Sequence, residues 1–277
     1  MKQARHRRYL GNATAIAILS LGLVVVLLPF LWIVSTAFKT QVDAMAIPPK
    51  ITFTPTFDNL GFLTQGFLQY EINSIIVTTG ATIVALVLGV PAGYALASTG
   101  TRRTARLLGL WMLATYIVPG IVFIVPLFLI FNQLGLVNTY LGLILGYQTG
   151  LIPFTVWMSR SYFVEVPPEL EDAARVDGCS RFQAFRKVIL PVTITGISTV
   201  GLLVAIFAWG EYFGTLILGG SDTYTVTIGI YNYVGSFGSD LGKLAMASLI
   251  VVIPILLATV IAQRGLLRGV TGGAVKG

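Results

Sequence analysis

Few residues in this chain could do chemistry. Glu211 is the one charge inside the apolar run Ile194–Leu218, within Trp209-Gly210-Glu211-Tyr212-Phe213. An ionisable group inside such a run is a functional-site candidate by default. Aromatic faces stack on the C–H-rich side of sugar rings, and a carboxylate pairs with hydroxyls, so Trp209, Glu211, Tyr212 and Phe213 suit a carbohydrate contact. The same Glu could instead bond a neighbouring helix for structure. Asn73 adds a polar group where a second apolar run begins. The other chemical groups are sparse. There is one His, His6, and one Cys, Cys179. They are too few for a disulfide or a Cys/His metal cage, and no nucleophile–base pair is evident. Gly238-Ser239-Asp240-Leu241-Gly242-Lys243-Leu244 is a poor phosphate loop, with the wrong glycine spacing and Leu244 where a Ser or Thr would hold Mg²⁺. No catalytic site and no ATP site are expected in this chain.

The elements that must position these groups are membrane helices. Of 277 residues, 55% are hydrophobic and only 10% charged, against about 25% charged in soluble domains. A spanning helix needs roughly 20 apolar residues. The charges fence off six candidate spans, at about 13–38, 72–98, 107–131, 139–158, 194–218 and 244–262. Glu211 is then the only ionisable residue within a span. The reading is an all-α integral membrane protein, with a short N-terminal tail (1–12), a membrane domain (13–262) and a C-terminal tail (263–277). With the N-terminus inside, 15 of the 18 Lys and Arg residues fall on the cytoplasmic side, as the positive-inside rule requires. Only Lys39, Lys50 and Lys243 fall outside. Both termini are therefore expected in the cytoplasm. The first span has a basic start, but its apolar core exceeds that of a signal peptide. Pro91, Pro119, Pro126 and Pro254 interrupt spans and predict bends. Gly89/Gly93, Gly142/Gly146 and Gly210/Gly214 permit close helix contact.

The connection 160–192 is the longest on the inner side. Pro168 suits a first helical turn, and Glu169, Glu171 and Asp172 favour the positive end of a helix dipole. Ala173 and Ala174 give a small, smooth face, and Gly178 can end the helix at positive φ. Ser180-Arg181-Phe182-Gln183 has capping-box spacing for a second helix, expected to end near Pro191. Two short helices joined by a Gly turn could insert into a groove on a partner or lie on the membrane surface.

Asp172-Ala173-Ala174, three residues, Gly178, nine residues, then Val188-Ile189-Leu190-Pro191 resembles the EAA loop of ABC importer permeases. The tail from Gln263 to Gly277, with Thr271, Gly272, Gly273 and Lys276, is similar to that of the MalG-type subunit of carbohydrate importers. The resemblance covers the chain from the first span to the last residue. It departs at Asp172, one methylene shorter than the family's Glu, and at Gly210, where the family often has Asn. It implies a type I ABC importer transmembrane-domain fold with six transmembrane helices. It also implies a coupling loop docked on a separate ATPase through Glu169, Glu171, Asp172, Ala173, Ala174, Asp177, Gly178, Leu190 and Pro191, and a tail reaching the ATPase. The implied partners are a MalF-like second permease, two ABC ATPase subunits holding ATP and Mg²⁺, and an extracytoplasmic solute-binding protein. The implied cargo is a carbohydrate, and the implied location a bacterial or archaeal inner (plasma) membrane. A stand-alone secondary transporter or channel is the alternative, and a purely structural anchor is a third reading.

Overall fold

Runs this apolar must satisfy their backbone N–H and C=O groups internally, and all regular structure among the described residues is helical. The computed structural model describes residues 2–98, 103–237 and 240–273. In chain order the helices are α1 (Lys2–Ala37), α2 (Gln41–Ala44), a 3-10 segment (Asp58–Gln65), α3 (Phe67–Ser98), α4 (Arg103–Ile117), α5 (Ile121–Gln133) and α6 (Tyr140–Val164). There follow α7 (Pro168–Val176), α8 (Arg181–Ala184), a π turn (Phe185–Ile189), α9 (Leu190–Trp209), α10 (Phe213–Leu218), α11 (Val226–Phe237) and α12 (Leu241–Gly273). By length and composition, five stretches can cross a membrane: Ala15–Ala37, Phe67–Ser98, Tyr140–Val164, Arg181–Trp209 and Leu241–Ala262. The bent pair Leu107–Ile117 and Ile121–Gln133 makes a sixth if it counts as one span.

Contacts divide the chain into two units. The smaller comprises Met1–Gln65 and Asn232–Val252. In it, Asn59 ties off the end of α1 by donating to the carbonyls of Ala37 and Lys39, each at 2.8 Å. The buried Lys39 ammonium lies 4.2 Å from the Trp32 ring centre and 5.0 Å from that of Phe53, a cation–π arrangement. In the exposed loop beyond, a hydrogen bond from Lys50 holds the Asp43 carboxyl below the usual carboxylate range.

The larger unit, Gly66–Tyr231 with Ile253–Gly277, is organised on the pairing of α3 with α6. Gly89 and Gly93 make it possible. A Cβ at Gly93 would stand 2.2 Å from Ser159 Oγ and 2.9 Å from the Val156 carbonyl. Val77, Ala81 and Ala85 of α3 pack with Leu143, Tyr147 and Leu151 of α6 and with Val200 and Val204 of α9.

Several elements differ from the sequence-based expectation. The bend expected at Pro119 is present and sharp, so that the run 107–131 is not one straight helix: α4 and α5 meet at 91°. Pro119 has no N–H to donate and pushes Val118 out of the helical region. The run 194–218 is broken at Gly210–Tyr212. The helix begun at Arg181 does not end near Pro191 but continues to Trp209. Phe185–Ile189 widens into a π turn in which Leu190 N–H bonds the Phe185 carbonyl. The wider turn carries the helix past Pro191, which has no N–H for the ladder. Helix α11 was not expected. It is started by tertiary contact, the Ser74 hydroxyl accepting from Val226 N–H at 2.9 Å.

Candidate functional site

The connection 160–192 is built from its caps outward. Pro168 opens α7, with Glu169 and Glu171 in the first turn and Arg175 in the last. The helix closes in a Schellman motif. Cys179 N–H bonds the Ala174 carbonyl at 3.0 Å, Gly178 N–H bonds that of Arg175 at 3.1 Å, and Gly178 has φ +88°. These bonds satisfy carbonyls that a helix end otherwise orphans. The next helix starts with a complete capping box. Gln183 N–H bonds Ser180 Oγ at 3.3 Å, and Ser180 N–H bonds Gln183 Oε1 at 2.8 Å.

Helical spacing then sorts the side chains of α7. Ala174 is buried, whereas Glu169, Ala173, Val176, Asp177 and Gly178 are exposed, Val176 at 88%. Pro168, Glu171, Asp172 and Arg175 share one face and line a cavity of about 380 Å³ with Tyr94, Phe163 and Arg181. So Ala173 and Ala174, about 100° apart around the helix, face outward and into the fold respectively. Phe185 and Ile189 anchor the connection by packing with Phe163, Val90 and Ile197. The Tyr94 ring lies 4.8 Å from that of Phe185. Leu190 is half-buried at this cluster, and Pro191 is exposed in the first turn of α9.

The other end of that helix meets Glu211. Gly210 closes α9 by N–H donation to the Ile206 carbonyl at 3.1 Å. Glu211 then starts α10, its Oε1 accepting from Gly214 N–H at 2.9 Å. A hydroxyl chain runs to the same break. Tyr147 meets Thr215, Thr215 meets Thr225 at 3.0 Å, Thr225 meets Thr227 at 2.9 Å, and Thr227 donates to the Glu211 carbonyl at 3.0 Å. Glu211 lines a cavity of about 270 Å³ with Tyr116, Thr149, Phe154 and Phe207. The α4–α5 bend borders the same space through Val118 and Gly120.

The expected pathway residues do not converge there. Trp209 lines a separate, largely apolar cavity of about 300 Å³ with Thr78, Thr82 and Pro254. Tyr212 and Phe213 stack edge to face at 5.4 Å, and Tyr212 also meets Tyr231 at 6.1 Å. Asn73 is fully buried. Its amide donates to the carbonyls of Asp222 and Tyr224 at 3.0 and 2.9 Å, and its Oδ1 accepts from Tyr140 at 2.7 Å and Gln69 at 2.8 Å. These bonds occupy Asn73 in holding the 222–224 turn. In the tail, Thr271, Gly272 and Gly273 form the end of α12, and Lys276 lies outside the described residues.

Sequence reasoning missed Glu71. Helix α3 starts at Phe67, so Glu71 lies within a spanning helix, whereas Glu211 sits in the break between α9 and α10. Glu71 is 8% exposed, and neither carboxylate oxygen has a hydrogen-bond partner among the described residues. Taking charges as the ends of apolar runs places Glu71 outside the span by construction. The half-apolar lead-in Phe67-Leu68-Gln69-Tyr70 is the signal that could have included it.

Among known proteins, residues 89–271 match the family described as binding-protein-dependent transport system inner membrane component. The chain is 38% identical over 259 residues to the trehalose transport system permease protein SugB of Mycobacterium tuberculosis, covering 91% of this chain and 93% of that one. It is 34% identical over 281 residues to the diacetylchitobiose uptake system permease protein DasC of Streptomyces coelicolor, covering 100% of both. Its fold matches a chain of a bacterial ABC transporter that imports the acidic polysaccharide alginate, with a TM-score of 0.72, 22% identity, and coverage of 93% and 96%.

Proposed function

Because the chain belongs to the family of binding-protein-dependent transport system inner membrane components, we propose that it is one membrane-spanning subunit of an ABC importer for a carbohydrate. Its relatives include permeases named for trehalose and diacetylchitobiose uptake, and the cargo is a sugar, polyol or sugar derivative. The chain crosses a bacterial or archaeal inner membrane six times, with α4 and α5 as one bent span and both termini in the cytoplasm. It pairs with a MalF-like permease, two ATPase subunits that hold ATP and Mg²⁺, and an extracytoplasmic solute-binding protein.

The observation that carries this reading is one continuous helix. Arg181–Trp209 runs 29 residues, about 43 Å at 1.5 Å per residue. One end is fused to the capped α7 turn and the other stops at the Glu211 cavity. A push on the exposed Glu169–Ala173–Val176 side of α7 therefore reaches the Glu211 break as a rigid-body shift. Glu169, Ala173, Val176, Asp177 and Gly178 offer the ATPase contact. Ala174, Leu190 and Pro191 fix its placement. Glu171, half-buried, and Asp172, exposed, border the cavity beside α7. The tail at Thr271–Gly273 and Lys276 gives a second contact. Glu211 lines half of the sugar pathway.

The test is a cysteine at position 173 in the transporter co-expressed with its partners. A homobifunctional thiol cross-linker should capture the ATPase subunit. Capture of lipid alone, or sugar uptake into proteoliposomes by this chain without ATP, would refute the proposal.

A further inference from the structure

The cavity of about 380 Å³ behind α7 is not used by the coupling mechanism. Its wall carries two acids, Glu171 and Asp172, and two bases, Arg175 and Arg181. Among the described residues none of the four forms an ion pair. Glu171 is half-buried, and Asp172, Arg175 and Arg181 are exposed, within reach of a charged ligand arriving from solvent. The Tyr94 hydroxyl is buried there beside Glu171 but, among the described residues, in no complete hydrogen bond, with Arg181 and Arg175 in electrostatic reach. A buried hydroxyl left unpaired is costly and calls for a partner. The remaining wall is apolar, formed by Ala97, Phe163, Val166 and Ile189. The cavity lies where two spanning helices, α3 and α6, end, beside the exposed Val164.

A ligand that satisfies this wall carries one phosphate, one ammonium with N–H donors, and an apolar extension. We propose that the cavity binds the phosphoethanolamine headgroup of a membrane phospholipid. Arg175 and Arg181 hold the phosphate in charge-assisted bonds, Tyr94 donates to it, and Glu171 and Asp172 accept from the ammonium. The acyl chains leave past Val164 into the bilayer. Headgroup occupancy would brace α7 against α3 and α6. This assignment rests on the proposed function only in placing this end of the helices at the cytoplasmic face.

The experiment uses the full chain, co-expressed with its transporter partners, delipidated and returned to phosphatidylethanolamine, phosphatidylcholine or phosphatidylglycerol. Lipid retention is read by native mass spectrometry. Phosphatidylethanolamine should be retained about tenfold over the other two, because choline has no N–H donor and glycerol no charge for the acids. Selectivity over phosphatidylglycerol should vanish in E171Q/D172N. Retention should fall about tenfold in R175Q/R181Q and several-fold in Tyr94→Phe. The lipid panel on the unaltered protein needs no variant to fold. Equal retention of the three lipids, or a preference for phosphatidylglycerol, would overturn the proposal. So would displacement by soluble glycerophosphoethanolamine at concentrations like those of the lipid, which would identify a free metabolite as the occupant. The cross-link from position 173 is scored in the same samples. Its loss with lipid selectivity intact refutes the coupling role alone, and the converse refutes the lipid site alone.

Discussion

Substitution at Gly178 separates two ways in which the α7 turn could matter. The residue has φ +88°, and a Cβ built there meets nothing within 4 Å. Within the chain, therefore, a side chain costs only backbone strain. Holding an L-residue in the left-handed region costs about 1–2 kcal/mol, which at 1.4 kcal/mol per tenfold lowers the population of the intact Schellman turn about 5- to 30-fold in Gly178→Ala. Asparagine tolerates this region several times better, so Gly178→Asn should keep most of the turn despite its larger side chain. Gly178→Val, β-branched, should be the worst of the three. The assay is ATP-driven sugar uptake, together with solute-stimulated ATP hydrolysis, in proteoliposomes at matched subunit stoichiometry. Turn strain gives the order Gly, Asn, Ala, Val. If activity instead follows side-chain size, with Ala above Asn, close packing of the docked ATPase on Gly178 rather than turn strain sets the order, and the strain argument fails.

Other substitutions probe different parts of the fold. Gly93→Ala should destabilise the transporter by about 1–3 kcal/mol through overpacking, because its Cβ would press on the α6 backbone at Val156. Gly109→Ala, with nothing within 4 Å, should gain about 0.5–1 kcal/mol of helix stability, and thermal melting of the two variants compares the signs. Glu211→Gln keeps an oxygen to accept from Gly214 N–H and should preserve assembly while lowering uptake, whereas Glu211→Ala should also lose about 1 kcal/mol as the cap is removed. Unaltered uptake in both would make Glu211 structural. Glu71→Gln should raise the melting temperature at neutral pH, since it keeps the shape but removes a charge that is costly to bury without a partner. A clear loss of stability would show that the assembled transporter supplies Glu71 with a partner.

Much of the connection 160–192 was legible in the sequence because its signals are local. Pro168 at a first turn, Ser180 with Gln183, and Gly178 at positive φ each act within a few residues. Helical spacing could also have separated Ala173 from Ala174, but only the packing of Phe185 and Ile189 fixes which of them faces inward. The pathway was less legible. Trp209, Glu211, Tyr212 and Phe213 are neighbours in sequence, yet the break after Gly210 sends them to different surroundings. Asn73 is drawn into a turn some 150 residues away, through bonds that no local pattern announces.

By itself, the sequence determined that the chain is made of long apolar helices, and that an Ala-Ala helix ending at a glycine connects two of them. Those properties follow from composition, hydrogen-bond satisfaction and capping, which act over one or two turns. Tertiary structure alone decided how sharply α4 and α5 bend, 91°, that a π turn carries one helix past Pro191, and that Glu71 is buried with no hydrogen-bond partner among the described residues. It also decided which face of α7 meets a cavity. Each of these depends on which side chains other helices bring close, and contact between distant segments leaves no mark in the local spacing of residues.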